Sequence, residues 1–412
     1  MGGQDRVAVI GAGVIGSAVA YALAREGRQV VLFERGEPAT SGASYGNVGH
    51  IAAELVEPLP SLPLLFGFWR ELFAFGGPLD IPLARLPKFL PWAMHFAAAA
   101  LRRKEHTQHL APLVRAGPQT LARWLGEIGH GQLFKRHGHY EIWLGAGALQ
   151  CAIAQARAMS RVEVQTAPAP RELLETVRQT AQATDVAGLW FPTSGHVIDP
   201  LLLMQAFAAA AAQRGTEQRR ALVHELRVCG QEIEVRTESD AMRVDAAVIC
   251  AGVWSAALLS RFGLKAPLQS VRGYHVELPN QPALVDAPIL YANEHVLVTP
   301  MSGRLRASSF MEFAAPDAAP DARKPRRLRK MMHSLGYTCD AAGPSWVGPR
   351  PVLPDYLPGI GRAPGPVRLF YAIGHQHIGL TIAAVTGELV ADLVAERAPR
   401  LAIDAFDLRR FS

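Results

Sequence analysis

Val7-Ala8-Val9-Ile10-Gly11-Ala12-Gly13-Val14-Ile15-Gly16 reads as a buried strand that stops at a glycine turn and restarts as a helix. Gly11, Gly13 and Gly16 let a phosphate approach the backbone closely. The helix N-terminus behind them offers unpaired N–H donors and a partial positive charge. The next strand, Gln29-Val30-Val31-Leu32-Phe33, ends at Glu34. That places an acid about 20 residues past the glycines, where it can grip a ribose hydroxyl. A lone glycine fingerprint is weak, but strand, glycines, helix, strand and terminal acid in this order mark a dinucleotide site.

The chain has 412 residues, 49% of them apolar, enough for a large core and for two domains. Its net charge of +6 is spread too thinly for nucleic-acid binding. The one dense basic run, Arg323-Lys324-Pro325-Arg326-Arg327-Leu328-Arg329-Lys330, reads as a solvated helix face, with docking on acidic lipid or a partner protein as the alternative. Cys151, Cys229, Cys250 and Cys339 are scattered and form no C-x-x-C pair. Zinc, iron–sulfur and disulfide frameworks are therefore not expected, and the usage fits a reducing compartment. No run of about 20 uncharged apolar residues suggests a spanning helix. Arg6 before an apolar run imitates a signal peptide, yet the glycine placement and Glu34 favour the cofactor turn. The expected location is the cytoplasm, or its side of the inner membrane as a peripheral protein.

Beyond the first unit, Thr40 to His50 is rich in glycine and hydroxyls and reads as a loop beside a ligand. Residues 56–103 are broken by prolines and rich in aromatic residues. They read as covering helices, or as a surface for a membrane or a partner subunit. Helical spacing predicts a helix over 107–128, and Asp199-Pro200 opens another that runs to Ala212. Ala246 to Gly252 is a continuous apolar run, suited to a parallel strand covered on both faces. Alternating stretches at 270–278, 288–299 and 304–312 predict an antiparallel sheet, and 323–335 a basic helix. Leu369 to Ile373 is a strand that passes through Gly374-His375-Gln376-His377-Ile378-Gly379-Leu380-Thr381 into a final helix.

Five marks in order resemble the FAD-dependent D-amino-acid oxidase and dehydrogenase superfamily. They are the opening glycine run with Glu34, the loop Thr40 to His50, Ala251-Gly252-Val253-Trp254-Ser255, Gly348-Pro349-Arg350-Pro351, and the closing Gly374-His375 with Gly379-Leu380-Thr381. The stretches Ser44 to Gly49 and Arg272-Gly273-Tyr274 are similar to bacterial D-amino-acid dehydrogenases, and GHQHIGLT to those that oxidise cis-4-hydroxy-D-proline. The resemblance implies an α/β fold. A glutathione-reductase-like, Rossmann-type FAD domain over 1–55, 196–268 and 345–412 would join a second α+β substrate domain. That cap, over 56–195 and 269–344, would be built on a mixed, largely antiparallel sheet.

The resemblance also assigns roles. Gly11, Gly13, Val14, Ile15 and Gly16 would support the pyrophosphate and Glu34 the ribose, with Arg35 over the adenine. Ser41, Ser44, Asn47, Gly49 and His50 would line the pyrophosphate, ribitol and flavin, and Val223 would touch adenine through its backbone. Ala251, Gly252, Trp254, Gly374, His375, Gly379, Leu380 and Thr381 complete the cofactor set. Arg350 would clamp the substrate carboxylate with its guanidinium fork. Tyr274 would donate a hydroxyl to the same group and His50 would line the pocket. A metal on His375 and His377 lacks a third ligand at matching spacing, so none is expected. FAD is expected to be non-covalent, since no cysteine adjoins Gly-Pro-Arg-Pro, and NAD does not explain the late motifs.

The implied reaction is oxidation of a D-amino acid, with cis-4-hydroxy-D-proline or D-proline favoured. It proceeds by hydride transfer from Cα to flavin N5, with electrons passed to a respiratory quinone or carrier. An oxygen-reducing oxidase of the sarcosine or glycine type and a non-catalytic FAD-carrying subunit are the alternatives. Oligomeric state is left open.

Overall fold

A computed structural model describes residues 5–37, 42–82, 85–339 and 343–412. Ser41, expected beside the cofactor, lies outside them. The first strand, β1 (Arg6–Ile10), is apolar at Val7 to Ile10 because these four residues are buried. Helix α1 (Val14–Arg25) carries Ser17, Ala18, Ala20, Ala22 and Ala24, small enough to lie close to its neighbours. The turn between them needs Gly11: its φ is +102°, and a Cβ there would sit 2.6 Å from the Cys250 carbonyl oxygen. Strand β2 (Gln29–Glu34) runs parallel to β1, from Arg6 opposite Gln29 to Ile10 opposite Phe33.

These strands belong to a six-stranded sheet in the order Glu217–Arg220, β2, β1, Ala246–Ile249, Leu369–Ile373, Gly359–Arg362. All its neighbours are parallel except the last pair. The apolar run at 246–249 is buried throughout, as a parallel strand covered on both faces must be. Chain order reverses at β1, flanked by β2 on one side and Ala246–Ile249 on the other. A crevice opens at the carboxyl ends of strands at such a point. The closing helix Gly379–Val394, the helix Arg103–Glu127 and the helix Pro200–Ala212 pack with α1. Their centre is aromatic: the Tyr21 and Trp124 rings meet edge-on at 5.0 Å, and Trp124 and Phe207 at 5.7 Å. Asp199 caps Pro200–Ala212 by accepting the Leu201 N–H at 2.9 Å, as the sequence predicts.

The second sheet has nine strands among the described residues and is mostly antiparallel. Its centre is Ser345–Val352, Gln269–Pro279, Arg304–Phe313 and Val296–Met301, each paired to the next. Ser345–Val352 therefore pairs with this sheet, although 345–412 is the segment expected on the cofactor side. The stretch 288–299 is two strands, Ile289–Tyr291 and Val296–Met301, folded back on each other. The turn between them puts His295 at φ +53°, which apolar alternation cannot reveal.

The basic helix Arg323–Ser334 corrects another expectation. Lys324 is fully buried, not solvated, and its ammonium lies 2.5 Å from Asp80, 2.9 Å from Asp321 and 3.0 Å from Glu312. Glu312 also accepts from Arg272 Nε at 2.6 Å. Arg323 also pairs with Asp321 at 2.8 Å, so three acids and three cations neutralise one another in this cluster. The aromatic segment does form short helices, at Leu62–Gly67 and Leu86–Leu101. Phe66 stays 80% exposed and Leu101 75%, so part of the segment covers nothing. No helix among the described residues is long and apolar enough to cross a membrane.

Candidate functional site

A cleft of about 520 Å³ runs along the carboxyl ends of β1, β2, Ala246–Ile249 and Leu369–Ile373. It gathers Gly11, Gly13, Val14, Ile15, Glu34, Arg35, Ser44, Asn47, Val223, Ala251, Gly252, Trp254, Gly374, His375, Gly379, Leu380 and Arg350. Most of the residues assigned by resemblance therefore share one surface. Gly16 does not touch that surface; it closes the turn from behind, where a Cβ would overlap the Gly11 carbonyl oxygen. The Glu34 carboxylate accepts the Ala12 N–H at 2.8 Å and the Gly36 N–H at 3.3 Å, which anchors the acid at the strand end. Ser44 Oγ accepts the Val14 N–H at 3.1 Å at the start of α1. The Arg35 guanidinium stacks 3.4 Å over the Trp254 ring at this end of the cleft. Burial lowers its pKa, with Glu34 opposing.

Gly49, Thr381 and His50 also lie off the cleft wall. Gly49 packs behind it, its Cβ position filled by the Val197 carbonyl. The Thr381 hydroxyl accepts the Ala52 N–H at 2.9 Å and is fully buried. His50 pairs with His196 across two short strands and turns its ring to His139, 4.6 Å away. Burial holds the His50 pKa down at about 3, with Glu54 opposing.

Tyr274 requires the firmest correction. Its hydroxyl donates to Glu312 Oε2 at 2.9 Å and accepts the Asp321 N–H at 3.1 Å. It belongs to the Lys324 network on the far face of the sheet, so no hydroxyl is left for a carboxylate in the cleft.

Arg350 faces the other way. It pairs in register with Val271, and Gly273 lies on the same face two residues on. A Cβ on Gly273 would overlap the Arg350 guanidinium, so this glycine makes the space the fork occupies. A bulge between Arg272 and Tyr274 sits opposite Phe310, whose φ is +73°. Phe310 presents its carbonyl to Arg350 Nη1 at 3.2 Å. No carboxylate among the described residues lies within 4.0 Å of this guanidinium, and Arg350 is half-buried. Burial lowers its pKa, with Tyr356 opposing. His377 lies near enough to feel Arg350, and burial, then Arg350, hold its pKa down at about 4. Within Arg272-Gly273-Tyr274 the residue against Arg350 is thus the glycine and not the tyrosine, and neither Phe310 nor Tyr356, the other two neighbours, carries a sequence signal.

The cleft fits a dinucleotide. It has a glycine turn, a terminal acid and two helix N-termini along one wall, and its volume is of the order of a ligand pocket. At 30% identity the chain is similar to a D-amino-acid oxidase of Bradyrhizobium diazoefficiens, the match covering 98% of each chain. It is 29% identical to D-amino acid dehydrogenase 2 of Ralstonia nicotianae, over 98% of this chain and all of that one. Glycine oxidase from Geobacillus kaustophilus has a similar fold, with a TM-score of 0.76 at 22% identity over 98% of this chain and 99% of that one. The model of the DAO family, FAD dependent oxidoreductase, matches residues 6–393. With the glycine turn, Glu34 and the closing helix all on one cleft, the chain belongs to this family and is an FAD-dependent oxidoreductase.

Proposed function

We propose that the chain dehydrogenates a D-amino acid, preferring a cyclic secondary amine such as D-proline or cis-4-hydroxy-D-proline, and passes the electrons to a respiratory quinone or carrier. The observation that carries this reading is Arg350, a guanidinium facing the cofactor cleft with a backbone carbonyl and no carboxylate beside it among the described residues. A cation so placed calls for an anionic ligand, and its planar fork matches a carboxylate. Bound FAD supplies the two-electron acceptor. Arg350 holds the substrate's acid group, and Gly273 keeps the fork in place. Burial keeps His375 and His377 neutral near pH 7, with pKa values of about 3 and 4. A neutral amine therefore meets no second cation there. The first turn of Gly379–Val394 directs its positive end at the cleft. The preference for a ring substrate rests on the resemblance of Gly374 to Thr381.

Anaerobic addition of D-proline, cis-4-hydroxy-D-proline, D-alanine, sarcosine and glycine to the holoenzyme tests this. The flavin absorbance should bleach fastest with the first two, and a quinone analogue should restore it. Absence of bleaching by every amino acid refutes the reading. Stoichiometric hydrogen peroxide under air moves the acceptor to oxygen.

The exposed apolar residues Phe66, Trp69, Phe75, Leu90, Met94 and Leu101, flanked by Arg70 and Lys104, support peripheral contact with an anionic membrane. The holoenzyme should sediment with anionic liposomes, less so at high salt, and Phe66→Ser with Leu101→Ser should release it. Equal recovery in the supernatant with and without liposomes ends the idea.

A further inference from the structure

Two groups of side chains among the described residues bring three ligand-type atoms together. Asp80, Glu312 and Asp321 form one, and the Lys324 ammonium fills its centre. His50, Glu54 and His139 form the other. Their donor atoms all lie within 4.8 Å of one another, and no Lys or Arg within 4.0 Å balances Glu54 among the described residues.

We propose that His50 Nε2, the Glu54 carboxylate and His139 Nδ1 bind a divalent transition cation of the zinc class, with the remaining position left to water. His50 Nε2 is 3.6 Å from Glu54 Oε1, and His139 Nδ1 is 3.7 Å from Glu54 Oε2. Metal–ligand bonds of about 2.0–2.2 Å leave neighbouring donors roughly 3.3–3.6 Å apart, so the side chains already stand near that spacing. Both imidazole nitrogens are buried and make no hydrogen bond among the described residues, and His139 as a whole is only 1% exposed. The carboxylate is oriented from behind: Ser194 Oγ donates to Glu54 Oε2 at 2.6 Å and accepts the Ala53 N–H at 3.2 Å. Such outer hydrogen bonds fix a ligand's direction before the ion arrives.

The donor set selects the ion. Two imidazoles and one carboxylate suit zinc and its neighbours, whereas calcium and magnesium want oxygen. The ion would tie the segment 50–54, which also hydrogen-bonds the closing helix through Ala52 and Thr381, to the strand His139–Leu144 of the second sheet.

The test uses FAD-loaded protein stripped with a chelator and then freed of it. Titration with Zn²⁺ against a chromophoric chelator should show about one tight equivalent per chain. Co²⁺ should bring visible bands beyond the flavin absorption. Glu54→Gln keeps the shape, and His139→Phe keeps a ring against Phe191, which the histidine stacks on at 4.5 Å. Each should lose the tight equivalent and the zinc-dependent rise in melting temperature. Wild-type protein that takes up no tight zinc overturns the proposal whatever the variants do. Zinc retained equally by both variants overturns it too, since the ion then sits elsewhere. A proton shared between a histidine and Glu54 is the reading that would replace it.

Discussion

Replacing Arg350 with methionine should leave a yellow, folded protein whose kcat/KM falls roughly 10²–10³-fold, about 3–4 kcal/mol of lost carboxylate binding. The stability of that variant separates two accounts of the arginine. An arginine held in a structural ion pair would destabilise the fold when removed, because its partner would be left charged and buried. Arg350 has no such partner among the described residues, only the Phe310 carbonyl at 3.2 Å. Its replacement by an apolar chain of similar length should therefore not lower the melting temperature. Arg350→Lys should recover part of the loss in KM but not all, because an ammonium presents a point charge where the fork offers two parallel donors. The measurements are anaerobic flavin reduction at varied substrate and thermal unfolding of the same preparations. Unchanged turnover in Arg350→Met would discard the binding pose.

The second large effect is expected at Gly16. An alanine there places Cβ on the Gly11 carbonyl oxygen, a backbone atom that cannot swing aside. Gly11 is itself pinned, with its N–H donated to Phe33 O at 2.8 Å and the Cys250 carbonyl close on its other side. The strain must therefore lift the start of α1 from the strand end, removing the N–H cradle that a pyrophosphate needs. Gly16→Ala should purify nearly colourless, with a flavin-to-protein ratio below about 0.1 and FAD affinity reduced at least ~100-fold. Circular dichroism should still report a folded chain, since the clash is local. A fully flavinated variant would show that the turn relaxes more easily than its packing suggests.

What could be read in advance divides by distance along the chain. The turn at Gly11 to Gly16, the acid at Glu34 and the cap at Asp199 are set within a few residues, so spacing and residue type reveal them. Arg350 is reached by resemblance, through the contiguous mark Gly348-Pro349-Arg350-Pro351. Gly273, Phe310 and Tyr356 gave no comparable signal. Their part depends on which residue of one strand lies opposite which of another, and register is not written in periodicity. The same blindness exchanged Tyr274 with Gly273: adjacent residues on a strand face opposite sides, and the segment alone does not say which side holds the cleft. Lys324 was lost in a run of like charges whose helical face could be drawn, but whose acidic partner at Asp80 lies 244 positions away. His50, Glu54 and His139 likewise come from separate segments and meet only in the fold.

The strand Gln269–Pro279 serves two masters, one on each side of its ribbon. Toward the cleft it offers Gly273, and toward the interior it commits Arg272 and Tyr274 to a closed ionic lattice. Because the sides trade places with every residue, one inserted or deleted amino acid upstream of the bulge would drive the lattice charges onto the Arg350 side of the strand. Descendants of this enzyme therefore have little freedom on either side of the strand, since a side chain at Gly273 would meet the Arg350 fork and changes at Arg272 or Tyr274 would open the ionic lattice. Changes of length in that stretch are closed to them, and indels should be confined to the loops beyond it.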